Sequence, residues 1–548
     1  MGDECASKHE IPKRSETRQV ESEGTAGKRH SLPPETSERA TARAEESAEV
    51  IVGGWAFRAA DLAAEGPKSQ GDDLNPQSGN QAGSEEATRT GKAGPGKQRW
   101  LPGLWLPNGG TGQAAAEGCE SGKGGREERK GEAPIGMMEK IVSDENAQEA
   151  LRAVERNRGA AGIDGMEVGQ LRPHLEKHWI TIRGKLMAGT YVPSPVKRVW
   201  LAKPSGGRRP LGIPTVLDRF VQQLILGELQ PLFEAGFSES SWGFRPGRGA
   251  HEAVGAAQRF LTEEGKSWVV DMDIKGFFDH VDHHILMELV SKQVEDRRVL
   301  RLIRRILQAG VWEAGEVTRP AGKGTPQGGP LSPLLANVYL DVLDKELERR
   351  GLSFSRYADD CNIYVRSELA ADRVLEKVSR FVERKLKLEV SGTKSGTGRP
   401  WERKFLGFRI NPAGMIEASR EAIERFRQRT RELWDNRQNK TSKELRDQWK
   451  RYLRGWWGYY RLAEERKPLE RMDGWIRRHI RKCFWQRWHG WKGRVKALSR
   501  LGIRGRLLRS GRSGRGAWRM ARHPVMQKAL NNRQLRRYGF LCFADLSG

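Results

Sequence analysis

From residue 137 onward the chain alternates between two hydrophobic periods. MMEKIVSDENAQEALRAVERN (137–157) carries the first amphipathic helical pattern, and it predicts a helix over 146–157 followed by a glycine-rich turn at 158–166. LAKPSGGRRPLGIP (201–214) reads as two short strands around a turn. Residues 218–232 read as a helix, apolar at Phe220, Leu224, Leu226 and Leu229. A Gly/Pro loop at 241–254 runs into a helix, a second Gly/Pro turn opens the long helix of 325–347, and 373–386 is a further helix. Between these lie runs of β-branched and aromatic residues: WVVDMDIKGFF (268–278), RYADDCNIYV (356–365) and FLGFRI (405–410). The second of them predicts a hairpin with acid at its tip. Helices alternating with such strands predict an α+β fold around an antiparallel sheet.

The acid is what gives these strands a chemistry. Asp359 and Asp360 are adjacent within apolar, strand-forming sequence. An isolated Asp pair is commonly a solvated turn. Partly buried carboxylates held side by side repel one another and lose hydration, which a cation between them offsets. Carboxylate oxygens suit Mg²⁺ or Mn²⁺. Upstream, Asp271 and Asp273 are two apart, so on a strand both face one side. A carboxylate from that strand meeting the hairpin tip predicts a two-ion site. Ions about 4 Å apart clamp the attacking and leaving oxygens of an in-line phosphoryl displacement.

Composition says what the partner is. At 548 residues, two or three domains are expected, and a net charge of +27 implies a polyanion, nucleic acid before membrane. No apolar run approaches a membrane span, and no secretory signal follows the first Met. Five scattered cysteines without a CxxC pair argue against a disulfide framework or a zinc-bearing nuclease appendage, and a reducing cytosol is the default. Residues 1–136 differ from the rest: they hold 22 of the 63 glycines, 18 basic and 22 acidic residues, and no persistent period. Such composition predicts a disordered N-terminal extension, explained most simply by a reading frame over-extended upstream of Met137 and Met138. The positive charge is concentrated in residues 411–548, with 36 basic and 12 acidic residues, and there is no acidic residue from Arg481 to Ala544. Nine tryptophans between Trp434 and Trp518 are interleaved with these arginines. Several must be core, but a one-sign face with embedded aromatics suits folded RNA bound through phosphates and stacking. WQRWHGWKGR (485–494) and LGIRGRLLRSGRSGR (501–515) are the candidate patches, with Arg504, Arg506, Arg509 and Arg512 as RNA contacts.

YADD (357–360), TPQGGPLSPLLAN (325–337), DMDIKGFFD (271–279), GFRPGR (243–248) and FLGF (405–408), in that spacing, together resemble the reverse transcriptases encoded by bacterial group II introns. The resemblance runs from about Met138 to the C-terminus. YLRGWWGYYR (452–461) resembles their maturase-specific domain X, and the likeness is to compact members without a C-terminal endonuclease. It implies a right-hand polymerase with fingers and palm over 137–410, an α-helical thumb and domain X over 411–520, and a basic tail segment over 521–548.

Carried onto this chain, the resemblance implies that Asp273, Asp359 and Asp360 are the catalytic metal-binding triad for two Mg²⁺ ions, with Mn²⁺ as substitute. Asp271 is then a neighbour, although the residues alone leave a swap with Asp273 open. Phe278 is implied under the incoming sugar, where it would exclude a 2′-OH. Of Phe277 and Phe278, one must be core, because neighbours on a strand face opposite ways. Gln327 is implied beside that sugar, Lys203 and Arg209 on the triphosphate, Lys394 near the pyrophosphate and Tyr357 beside the primer end. The implied activity is RNA-directed DNA synthesis from deoxynucleoside triphosphates, with intron RNA, primer and target DNA as partners and the bacterial cytoplasm or nucleoid as location. Two rivals stay open: a host-adopted reverse transcriptase of phage defence or CRISPR adaptation, and a splicing-only RNA-binding maturase.

Overall fold

The computed structural model describes residues 136–546, apart from 203–207, 320–321, 436 and 438. The expected N-terminal extension, 1–136, lies outside the described residues but for Gly136. A small helical layer begins the fold. It comprises α1 (Met137–Ile141), α2 (Asp144–Asn157), α3 (Val168–Met187) and, after a hairpin, α4 (Val216–Glu234). The Ser143 hydroxyl accepts from the Asn146 amide and so caps α2, while Arg158 in the left-handed region ends it. The hairpin is β1 (Val196–Ala202) against β2 (Arg208–Ile213), antiparallel as its sequence predicts.

The sheet that matters follows. After α5 (Ala250–Thr262) comes β3 (Trp268–Asp273), and then three helices, α6 (Phe277–His280), α7 (His283–Ser291) and α8 (Arg297–Leu307). Two short strands, β4 (Val311–Glu313) and β5 (Glu316–Thr318), extend the first hairpin into a four-stranded sheet ordered β2-β1-β4-β5. The long helix α9 (Ser332–Arg349) then leads into β6 (Ser353–Tyr357) and β7 (Asp360–Val365). After helix α10 (Glu368–Phe381), β8 (Gly396–Gly398) completes a second sheet, ordered β6-β7-β3-β8 and antiparallel throughout. The expected helix of 373–386 starts earlier, at Glu368, where Ser367 caps it, and its last turn, Val382–Leu386, widens to a π-helix.

The strand expected over 268–278 stops at Asp273. Gly276 takes a left-handed conformation (φ 56°), which turns the chain into α6. Phe277 and Phe278 are therefore helical, and strand alternation is the wrong reason for their division. The division itself stands: Phe277 is buried and Phe278 is half-buried.

One core gathers α1 to α4, α7 to α9 and one face of the β6-β7-β3-β8 sheet, with Val270, Met272 and Ile363 among its members. The other face gives Val269 and Tyr364 to a second core, as strand alternation requires. That core also holds β9 (Phe408–Ile410), β10 (Ile416–Ala418) and the C-terminal helices. These helices are α11 (Arg420–Leu433), α12 (Ser442–Tyr460), α13 (Lys467–Arg487) and α14 (Gly490–Arg500), followed by a 3₁₀ segment at Gly505–Arg512. Trp434, Trp449 and Trp485 are fully buried there, whereas Trp491 and Trp518 are exposed. Of the basic tail segment expected over 521–548, the described residues 521–546 are packed against the helices. Val525, Met526, Leu535 and Phe543 are buried in the second core, and the Trp449 indole donates to the Leu541 carbonyl at 2.8 Å. Its apolar residues hold it down; its arginines face outward.

Candidate functional site

The acidic hairpin is built on a tight turn. Tyr357 on β6 pairs with Asp360 on β7, leaving Ala358 and Asp359 between the strands, with Ala358 at φ 57°. A left-handed non-glycine residue is strained and needs support from its surroundings. The support is Arg356, whose side chain is fully buried. Its Nη1 donates to the Ala358 carbonyl at 2.9 Å and to Asn337 Oδ1 at 3.2 Å. Its Nη2 donates to Ser241 Oγ at 2.7 Å, and its Nε to Asp344 Oδ1 at 2.7 Å. Asn337 in turn donates to the Gly243 carbonyl at 2.9 Å. Gly243 lies against the turn so closely that a Cβ there would sit 2.4 Å from the Ala358 amide nitrogen. Three blocks that the sequence spreads over more than a hundred positions thus meet at one guanidinium behind the turn.

Across the sheet, Asp273 pairs with Asp360, and Asp271 with Asn362. Directly opposed residues on antiparallel strands have Cβ atoms about 4.5–5.5 Å apart. Asp273, Asp360 and the intervening Asp359 are therefore at one end of one sheet, and Asp271 lies one step further in. Desolvation by the surrounding protein and repulsion by Asp359, Asp273 and Asp271 push the Asp360 carboxyl up to about 7, although Asp360 itself is open to solvent at the end of β7. Burial and the nearby Asp273 likewise raise Asp359. Burial raises Asp271 to about 6, with Arg403 partly opposing it and Asp273 adding to it. Lys394 counters this acidity: its ammonium reaches the two Asp273 oxygens at 2.9 and 3.3 Å, and that bond raises its own pKa. The neighbouring Ser395 hydroxyl fixes the Asp273 amide at 2.9 Å.

Crowded carboxylate oxygens that repel one another are a donor set suited to a hard divalent cation. Among the described residues, no three His, Cys, Asp or Glu side chains are drawn close enough to share an ion. The three expected ligands are at one sheet end, not closed around a centre, and Lys394 occupies part of the Asp273 carboxylate. The donor chemistry fits the cation.

The nucleotide residues are partly placed. The loop ahead of α9 is tied down on both sides of the site: the Thr325 amide donates to the Phe278 carbonyl at 2.7 Å, and the Gly212 amide of β2 to the Gln327 carbonyl at 2.7 Å. Gly328 at φ 115° passes so near β2 that a Cβ would sit 2.4 Å from the Gly212 oxygen. Phe278, Gln327 and β2 are thereby brought together. Lys203 lies outside the described residues, and Arg209 is described by its backbone alone. Tyr357 is half-buried, its ring 6.5 Å from that of Phe244. Arg504, Arg506, Arg509 and Arg512 are all exposed, on or beside the 3₁₀ segment. Sequence reasoning missed Arg356 and Asp344. The available signal was an arginine two positions from Phe354 and so on the same strand face as that buried ring, since a buried cation requires a buried partner.

The fold and site define a reverse transcriptase-type domain joined to a helical maturase domain. Residues 201–410 match the family profile "Reverse transcriptase (RNA-dependent DNA polymerase)", and 423–502 match "Group II intron, maturase-specific domain". The chain thus carries a reverse transcriptase domain followed by a group II intron maturase-specific domain, and it spans about half or less of the length of the curated relatives it matches. It is similar to Protein YkfC of Escherichia coli K12, 36% identical over 222 residues, which make up 40% of this chain and 58% of YkfC. It is also similar to Group II intron-encoded protein LtrA of Lactococcus lactis subsp. cremoris, 41% identical over 172 residues, 31% of this chain and 28% of LtrA. A third relative is an uncharacterised 91 kDa protein in the cob intron of Schizosaccharomyces pombe, 39% identical over 161 residues, 29% of this chain and 20% of the relative. Among the described residues, no helix is long and apolar enough to cross a membrane.

Proposed function

We propose that this protein is an RNA-directed DNA polymerase that copies intron RNA into DNA and binds the same RNA to assist its splicing and mobility. The observation that carries this reading is the pairing of Asp273 with Asp360 beside the Asp359 turn, within a reverse transcriptase match that precedes a maturase match. Residues 137–410 would be fingers and palm, and the helices beyond 411 the thumb and RNA anchor.

In the reaction the primer 3′-hydroxyl gives its proton to solvent, its oxygen bonds to the α-phosphorus of a deoxynucleoside triphosphate, and the bond from that phosphorus to the α,β-bridging oxygen breaks as pyrophosphate leaves. Asp273, Asp359 and Asp360 would hold Mg²⁺ or Mn²⁺, and such ions acidify the hydroxyl and neutralise the leaving pyrophosphate. The chain's own residues position the reactants. Lys394 holds its positive charge beside Asp273, where it would meet the charge of the departing pyrophosphate. Phe278 and Gln327 would face the sugar, Lys203 and Arg209 the triphosphate, and Tyr357 the primer end. Arg504, Arg506, Arg509 and Arg512 offer phosphate contacts without acidic neighbours in sequence.

The test is primer extension on an RNA template with Mg²⁺, beside RNA affinity measured on the same preparations. Asp359→Asn keeps the shape of the side chain and removes its charge. It is expected to abolish extension and to leave affinity within about twofold, because the basic surface is unaltered. Substantial DNA synthesis by this variant would overturn the assignment of Asp359.

A further inference from the structure

The helix α14 has an opening on each side. On one side, a cavity of about 490 Å³ is lined by Phe484, Trp488 and Tyr538, with Phe540 and Leu530 beneath them. On the other, a hollow of about 470 Å³ is lined by Trp491, Val495 and Leu508. Lys496 and Arg500 line both. They are four residues apart, hence one above the other on one helix face about 6 Å apart along the axis. Both are exposed, and neither has an acidic partner among the described residues. Lys443 and Arg446 add charge to the first rim. Arg512 lies over the Trp491 ring at 4.9 Å, and that indole remains 48% exposed.

We propose that α14 is a two-pocket seat for unpaired RNA, in which the Lys496–Arg500 ridge grips the backbone and adjacent bases are splayed into the two hollows. Each hollow falls within the range of about 300–1,000 Å³ usual for small-ligand sites, large enough for a base and its ribose. The floors supply aromatic faces, and the charged residues on the rims are cations, of which Arg446 is paired with Asp447 at 2.8 Å while Lys496 and Arg500 are exposed. Base–aromatic stacking flanked by backbone-binding cations is how single-stranded nucleic acid is held. Charge decides the occupant: every charged residue lining either hollow is a cation, and no acidic residue occurs between Asp473 and Asp545, so the seat favours a polyanion over a basic peptide. Duplex RNA keeps its bases stacked inside and cannot fill the hollows. This proposal rests on the RNA-anchor reading above, but it assigns recognition of unpaired bases to the aromatic floors and the Lys496–Arg500 ridge, with Arg512 contributing only through its contact with the Trp491 ring.

The experiment compares two RNAs of equal length, one a stem-loop and one fully paired. The full chain is titrated with each, in the wild type and in Trp491→Ala/Tyr538→Ala. Both side chains are substantially exposed, 48% and 42%, so their removal leaves the core intact. Loss of one stacked base lowers affinity by about fivefold or more. The double variant is expected to bind the stem-loop at least tenfold more weakly and the duplex within about twofold of the wild type. Trp491→Phe/Tyr538→Phe is expected to restore most of the stem-loop affinity. Equal loss on both RNAs, or no loss on either, would overturn the seat while leaving the RNA-anchor reading intact. A wild type that binds neither RNA would remove both. An acidic peptide that competes as well as the stem-loop would overturn the choice of occupant.

Discussion

Substituting Arg356 tests whether the acidic turn is held from behind by one buried guanidinium. Its side chain and that of Asp344 are 1% and 0% exposed, and the pair is bonded through both carboxylate oxygens. Arg356→Met keeps most of the side-chain bulk and removes every donor. Asp344 is then a buried carboxylate without its cation, a loss worth about 3–5 kcal/mol. The Ala358 carbonyl, Asn337 Oδ1 and Ser241 Oγ each lose a donor as well. Against a total stability of about 5–15 kcal/mol, the single variant is expected to be marginal. Arg356→Met/Asp344→Leu removes the stranded charge, and apolar replacement of a buried ion pair is commonly neutral in stability. The double variant should therefore regain much of the urea midpoint. It should not regain activity, because nothing donates to the carbonyl that fixes the left-handed Ala358 between Tyr357 and Asp359. A displacement of about 1 Å at the carboxylates is enough for roughly a hundredfold in kcat. The measurements are urea unfolding and steady-state primer extension for wild type, single and double variants. If the single variant costs less than about 1 kcal/mol, the buried pair is not what the geometry says. If the double variant recovers stability and kcat together, Arg356 is packing and not a positioning residue.

Three other outcomes follow from the same structure. Phe278→Val is expected to admit ribonucleotides, read as the ratio of kcat/KM for ribo- over deoxynucleotides. Phe277→Ala should instead cost about 3–5 kcal/mol of stability, since that ring is buried, and leave sugar choice unchanged. Changing Arg504, Arg506, Arg509 and Arg512 together to Glu should lower RNA affinity and flatten its dependence on salt, with a smaller effect on extension of a short generic template. An unchanged slope would remove these exposed arginines from the interface. His479 is packed between Trp475 and Trp518, at 4.3 and 5.0 Å, and burial with nearby Lys482 lowers its pKa to about 4. Unfolded, it takes up a proton near 6.5, so its neutral form stabilises the fold above that pH and the contribution fades as pH falls toward 4. The span corresponds to about 3 kcal/mol, and His479→Phe should flatten the unfolding free energy over that window; an unaltered pH profile would contradict the burial argument.

What the sequence makes legible here is whatever is local. Alternation located β3 and the hairpin, and the acid within them located the sheet end, because side-chain direction on a strand is set by counting. Counting failed at Gly276: one left-handed glycine converts a strand into a helical turn, so Phe277 and Phe278 are related differently from strand neighbours. It failed again at 521–546, where the arginines suggested a tail but Val525, Met526, Leu535 and Phe543 bury themselves between helices. Features assembled from distant segments were out of reach. Arg356 finds Ser241, Asn337 and Asp344 only once the palm sheet has folded against α9, and the two hollows beside α14 draw on residues from 442 to 540.

That division has a physical consequence for how the protein can be altered. The second core takes Val269 and Tyr364 from the acid-bearing strands together with Trp449 and Phe426 from the C-terminal helices. The sheet that carries Asp273 and Asp360 is therefore packed on one face by the domain that would hold RNA. A large loss of packing in the helices is transmitted to the strand pair, since a close-packed interior has little room to relax. Exposed substitutions on α14 or the 3₁₀ segment have no such route. Surface variants can therefore separate RNA affinity from polymerisation, whereas removal of the buried Trp449 side chain should lower both.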